Sequence, residues 1–110
     1  MAYDEKLAMR VRKAVGRRKG VTEMKMFGGL AFMLNGNMFC GIIKEDLMVR
    51  VGPDRHEESL KKPHARPMDF AGRPMKGYVF VAPGGSRTEA SLAEWVRRGV
   101  ENALTLPKKR

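Results

Sequence analysis

MFGGLAFMLNGNMFCGIIKEDLMVRV, residues 26–51, is the stretch on which the fold turns. Asn35-Gly36 stands between two apolar segments, and Asn-Gly accepts the positive φ angles of a tight hairpin turn. A second reversal falls at Lys44-Glu45-Asp46. The stretch therefore reads as three consecutive antiparallel strands, residues 30–34, 38–43 and 47–51. A meander with so little spare chain leaves no room for a cofactor cradle, and no cofactor is expected.

Upstream, residues 21–27 alternate in polarity as a strand does, and Gly28-Gly29 breaks them off in a turn or a bulge. Before that strand a helix is predicted over residues 2–18. Tyr3, Leu7, Val11, Ala14 and Val15 form its apolar stripe, and Gly20 stops it. Downstream, Gly52-Pro53-Asp54 ends the meander and opens a short helix over 54–61, in which only Leu60 is strongly apolar. Residues 62–76 hold Pro63, Pro67 and Pro74 and read as an irregular loop, with Met68-Asp69-Phe70 as a short edge strand. Residues 77–82 (GYVFVA) are a buried strand, closed by a turn at Pro83-Gly84-Gly85. The last helix opens on a capping box, Ser86 with Glu89 or Ser91 with Glu94. Its apolar face runs through Leu92, Trp95, Val96, Gly99, Val100, Ala103 and Leu104, with Glu94, Arg97, Arg98 and Glu101 on the other side.

These elements predict an α+β fold: a single, mainly antiparallel sheet packed by helices, four of its strands preceding the middle helix. There is no internal repeat and no linker. Residues 1–110 thus read as one domain, with a core over 3–104 and a basic tail over 105–110. Hydrophobic residues at 43% and charged residues at 31% exclude both a disordered chain and a membrane protein. No apolar run approaches the ~20 residues of a spanning helix. The N-terminus carries acids and does not read as a secretory signal. Cys40 is the lone cysteine, which fits a cytoplasmic protein.

The net charge of +10 is unevenly placed. Residues 1–20 hold seven bases against two acids, and the final four residues add three more positive charges. Such ends either attract polyanions or keep the chain soluble. On the first reading Arg10, Arg12, Arg17, Lys108, Lys109 and Arg110 are the nucleic-acid contacts. No helix-turn-helix pattern and no exposed aromatic series accompanies them.

Catalytic chemistry finds little support. A metal would need Cys40, His56, His64 and Asp69 to converge, and their spacings match no zinc signature. No motif accompanies Cys40 as a nucleophile, and the adjacent Glu57 and Glu58 diverge on a helix. Gly28-Gly29 and Gly84-Gly85 belong to no phosphate-binding pattern. Catalytic and metal residues are therefore absent from the expectation. The best remaining set for a partner or an anion is Arg50, Arg66, Arg73 and Lys76. Its plain alternative is that Arg66 or Arg73 pairs with Asp69 and pins the loop. Met24, Met26, Met33, Met38 and Met48 serve as core filler or, on the sheet face turned from the helices, as a dimer seam.

MFGGLAF (26–32), the strands around Cys40 with LMVRVG (47–52), and ARPMDFAGRPMKGYVFV (65–81) together resemble the N-terminal domain of the TfoX/Sxy family, over roughly residues 3–104. The resemblance implies an α-β-β-β-α-β-β-α layout akin to secretion chaperones, often dimeric. It also implies a non-enzymatic role in regulating bacterial competence, in which full-length members assist a cyclic-AMP receptor type activator at promoters. The expected partners are a second copy and a protein, the activator among the candidates. The familiar regulators carry a further C-terminal helical domain that has no counterpart in these 110 residues.

Overall fold

The computed structural model describes residues 3–26, 28–70 and 73–107. Helix α1 (Glu5–Val15) is followed by strands β1 (Val21–Met26), β2 (Gly29–Leu34), β3 (Asn37–Ile43) and β4 (Asp46–Arg50). A short 3-10 turn (Pro53–Arg55) and α2 (His56–Leu60) lead to β5 (Ala65–Phe70) and β6 (Arg73–Val81). A second 3-10 turn (Pro83–Ser86) leads to α3 (Glu89–Leu104). The six strands make one antiparallel sheet in the order β1-β2-β3-β4-β6-β5, so the fold is α+β as expected. Four strands precede the middle helix, one more than the layout the resemblance implied. Gly28 has a φ of 74° and separates β1 from β2 as two strands in full register, rather than one bent strand.

The turns that set the meander behave as their residues demand. Asn35 and Gly36 have φ of 53° and 82°, the pair of left-handed residues that a two-residue hairpin loop needs. Lys44 at 56° reverses β3 into β4. Helix α1 is shorter than predicted at both ends. Asp4 caps it, its carboxylate accepting from the Lys6 and Leu7 amides, and Gly16 at a φ of 72° ends it four residues before Gly20. The cap of α3 is neither expected pair. Thr88 Oγ1 accepts from the Ser91 amide at 3.0 Å, while Ser91 Oγ donates back to the Thr88 carbonyl.

The largest departure lies in residues 62–76. Most of the expected loop is a β-hairpin, with β5 on the sheet's edge. There Pro67 has no outer partner to lose, so three prolines do not prevent a strand.

The helices lie on one face of the sheet, and the register sorts the side chains between the two faces. Lys25, Leu30, Ile42, Leu47, Val81 and Ala65 lie in one row across all six strands, on the helix side. A register shift at Phe32/Met33 puts both Phe39 and Cys40 into the helix-side core, where neither is exposed. Leu7, Ala8 and Val11 of α1 and Leu92, Trp95, Val96, Val100 and Ala103 of α3 close that core. Ala8 belongs to it where the sequence stripe had Ala14, which is exposed, and Leu104 at 55% exposure stands outside it.

Arg98 is a further correction, buried on the flank of α3 rather than displayed on a solvated face. It donates to Glu58 Oε1 (2.8 Å) and Ser59 Oγ (3.2 Å) of α2 and to Glu94 Oε2 (3.1 Å) of its own helix. Its guanidinium also lies 5.8 Å from the centre of the Trp95 ring.

Candidate functional site

The opposite face of the sheet carries none of the described helices. Its central row is Met24, Ala31, Gly41, Met48, Phe80 and Arg66, again one residue from each strand. Small residues in the middle of the row make it shallow. A Cβ on Gly41 would stand 3.0 Å from the Leu30 carbonyl oxygen and 3.1 Å from the end of the Met48 side chain. Ala31 and Met48 are buried beneath their neighbours, Phe80 is half-buried, and Met24 is 52% exposed. The face is thus an apolar band with a cationic end.

At that end Arg66 reaches across β6. Its guanidinium lies 4.9 Å from the centre of the Phe80 ring, and Nη2 donates to Asp46 Oδ2 on β4 at 2.7 Å. Among the described side chains its carboxylate partner is Asp46. One strand further along, Arg50 lies 5.5 Å from the ring centre of Tyr78, its cross-strand neighbour. Stacking of this kind leaves the N–H groups at the guanidinium's rim free to meet a carboxylate. Lys76 is exposed on β6. The side chains of Asp69 and Arg73 lie outside the described residues, and with them the expected pairing of Asp69 with Arg66 or Arg73. Of the set Arg50, Arg66, Arg73 and Lys76, the structure brings Arg50 and Arg66 together with two aromatic rings on one face.

The basic first helix is differently employed. Arg10 Nη2 donates to the Ser86 and Arg87 carbonyls at 2.7 and 3.0 Å, and its Nε to Glu89, tying α1 to the start of α3. Arg12 makes a two-pronged pair with Glu23 on β1, both bonds 2.8 Å. That hydrogen bonding raises the Arg12 pKa and holds the Glu23 carboxyl below its ordinary range. Arg17 is exposed, and Lys108, Lys109 and Arg110 lie outside the described residues. Two of the helix arginines therefore have internal partners that neither charge counting nor helical periodicity disclosed.

The remaining reactive groups are dispersed. Burial pushes the Cys40 thiol far up, so it is not a thiolate nucleophile. His56 Nδ1 accepts from the Gly77 amide at 2.9 Å, across the break from α2 to β6. His64, at a φ of 68°, packs its ring against Gly84 and its Cβ against Gly85. A side chain on Gly84 would collide with that ring, which gives the glycine pair a packing reason. A cleft of about 360 Å³ beside them is lined by Lys62, His64, Glu94 and Trp95 among others. Among the described residues no three His, Cys, Asp or Glu side chains gather as a metal ion would require. No described helix is long and apolar enough to cross a membrane.

An α+β sheet domain with one helix-free face and no assembled catalytic cluster among its described residues is the class that fold and site define. The TfoX N-terminal domain matches residues 13–103, most of the chain, and the chain belongs to that family. It is not a known enzyme family. No curated protein and no solved structure matches the chain.

Proposed function

We propose that this chain is a non-enzymatic regulatory domain of the competence-regulator type. It works in the cytoplasm by holding another protein, a transcription activator, against the helix-free face of its sheet. The observation that carries this reading is the uninterrupted row from Met24 to Arg66, an apolar band ending in stacked arginines. Methionine adapts its shape to an apolar partner, and arginine over an aromatic ring is a common anchor of protein interfaces. Arg50 and Arg66 would meet acidic groups at the rim of the contact.

The test is fluorescence anisotropy of the labelled chain titrated with the cyclic-AMP receptor type activator of its own host. The wild type should bind. Arg50→Gln with Arg66→Gln and Phe80→Ser should weaken binding at least ~10-fold, roughly the loss of one good anchor. Lys13→Gln with Arg17→Gln should leave it unchanged. Absence of binding, or equal binding by all three, refutes the reading. Affinity for random duplex DNA that falls steeply with salt and is lost in the Lys13/Arg17 variant would favour direct nucleic-acid binding instead.

A further inference from the structure

The two edges of the sheet are not equivalent. Edge strand β5 carries Pro67, which has no N–H to offer, and a register shift interrupts its pairing between Pro67 and Asp69. Edge strand β1 has neither defect. Its six residues, VTEMKM, contain no proline and stay in unbroken register with β2. Among the described residues nothing pairs with its outer side.

The orientation of that free side follows from one bond. The Gly20 carbonyl accepts from the Asn35 amide at 3.0 Å, so Gly20 and Asn35 form a hydrogen-bonded pair of the ladder. Such pairs alternate. Thr22 and Met24 therefore also turn their backbone groups inward to β2, while Val21, Glu23 and Lys25 point theirs outward.

We propose that β1 pairs antiparallel with β1 of a second copy of this chain, about a two-fold axis at Met24, joining two six-stranded sheets edge to edge. The register is chosen by charge. Outward-pointing residues must pair with one another, which permits only alternate registers. Centring the axis on Glu23 sets Glu23 against itself, and centring it on Lys25 sets Lys25 against itself. Centring it on Met24 sets each Glu23 opposite the other copy's Lys25, twice, in hydrogen-bonded pairs with Cα atoms ~5.5 Å apart. The two Met24 side chains then meet on the helix-free face. Glu23 keeps Arg12 as well, since a carboxylate has lone pairs for both.

Exposed apolar groups gather at the same edge. Met24 is 52% exposed there. Met9, 66% exposed, stands three residues before Arg12, on the flank of α1 from which Arg12 reaches β1. The association extends the helix-free face across two copies and is independent of the activator reading. One strand pair is a small contact, so the dimer is weak and concentration-dependent.

Sedimentation equilibrium from about 10 µM to about 1 mM, at low salt, tests it. The wild type should shift from monomer to dimer over that range. Lys25→Glu and Glu23→Lys, each alone, place like charges opposite and should raise Kd ~10-fold or more. Both together restore opposite charges and should return Kd to within ~3-fold of wild type. Mild oxidation of Met24→Cys should give a disulfide-linked dimer. Thr22→Cys, whose copies would stand about 14 Å apart, should give none. Cys40 is buried and does not interfere. Circular dichroism confirms the fold of each variant, and Lys25→Glu with Met24→Cys decides the matter even if Glu23→Lys destabilises β1. A wild type that stays monomeric at the highest concentration overturns the proposal. So does a dimer indifferent to the single swaps, or one that crosslinks as well through Thr22→Cys.

Discussion

Gly99 lies in the middle of α3, where glycine is ordinarily a defect. Replacing a mid-helix glycine by alanine stabilises a helix by about 0.8–1.0 kcal/mol. Here the sign should reverse. A Cβ at Gly99 would fall 3.1 Å from the Phe39 carbonyl carbon and closer still to its oxygen, inside the distance real Cβ atoms keep. One side of the collision is a Cβ with no rotamer freedom and the other is main chain, so no rotamer change relieves it. The helix must lift from β3 by roughly 1 Å, and it carries Leu92, Trp95, Val96, Val100 and Ala103 of the core with it. Forcing extra volume into such a contact costs about 1–3 kcal/mol, and the upper part of that range applies where the rigid partner is a strand's main chain. Net of the helix gain, Gly99→Ala should destabilise by about 1–2 kcal/mol, or roughly 4–8 °C in Tm for a domain of this size. Urea unfolding followed by Trp95 fluorescence measures it, with Ala90→Gly, at an exposed site of the same helix, as the propensity control. A Gly99→Ala protein as stable as wild type, or more stable, would refute the close approach of α3 to β3.

Three further outcomes follow from the packing and the ion pairs. Trp95 is 2% exposed, and Trp95→Ala should cost about 3–5 kcal/mol or abolish cooperative unfolding by far-UV circular dichroism; a loss below about 1 kcal/mol would mean the ring is not the anchor of α3. Arg10→Gln removes bonds to two carbonyls and Glu89 and should cost about 1–2 kcal/mol, while Arg17→Gln on the exposed surface should stay within about 0.5 kcal/mol; equal effects would show that Arg10 does not tie α1 to α3. Glu58, Glu94 and Glu101 are held below the ordinary 4.5, chiefly by hydrogen bonds from Arg98, Arg97 and Arg55 respectively. A carboxyl whose folded pKa is depressed contributes stability above its unfolded pKa and loses it as pH falls through the folded value. The stability gap between wild type and Arg98→Met should therefore be present at pH 7 and narrow as the pH drops below about 4.5; a gap independent of pH would exclude the ionic contribution.

What the sequence discloses here is what neighbours in the chain decide. Asn35-Gly36 and Lys44 carry their turns in their own backbone preferences, so the meander and its strand count are legible before any long-range contact is known. Hairpin β5–β6 is not legible in the same way. Pro63, Pro67 and Pro74 signal a broken chain, and whether a proline breaks a strand depends on whether its missing N–H faces a partner. That is settled by β5 lying on the edge of the sheet, a fact of topology. Arg98 fails for a related reason. Its position on α3 flanks the apolar face, and it is buried only because α2, forty residues earlier, brings Glu58 and Ser59 over it. The candidate site obeys the same division. Arg50 and Arg66 stand out by residue type, yet Phe80, Tyr78 and Asp46, which hold them, come from other strands by register. Alternation within each strand does predict that Met24, Met33 and Met48 leave the helix side. That they share one uncovered face follows only once every helix is known to pack on the other. A six-stranded sheet whose described helices all pack on one side has a face left over, and it is there, and along the unblocked strand β1, that its partners should be sought.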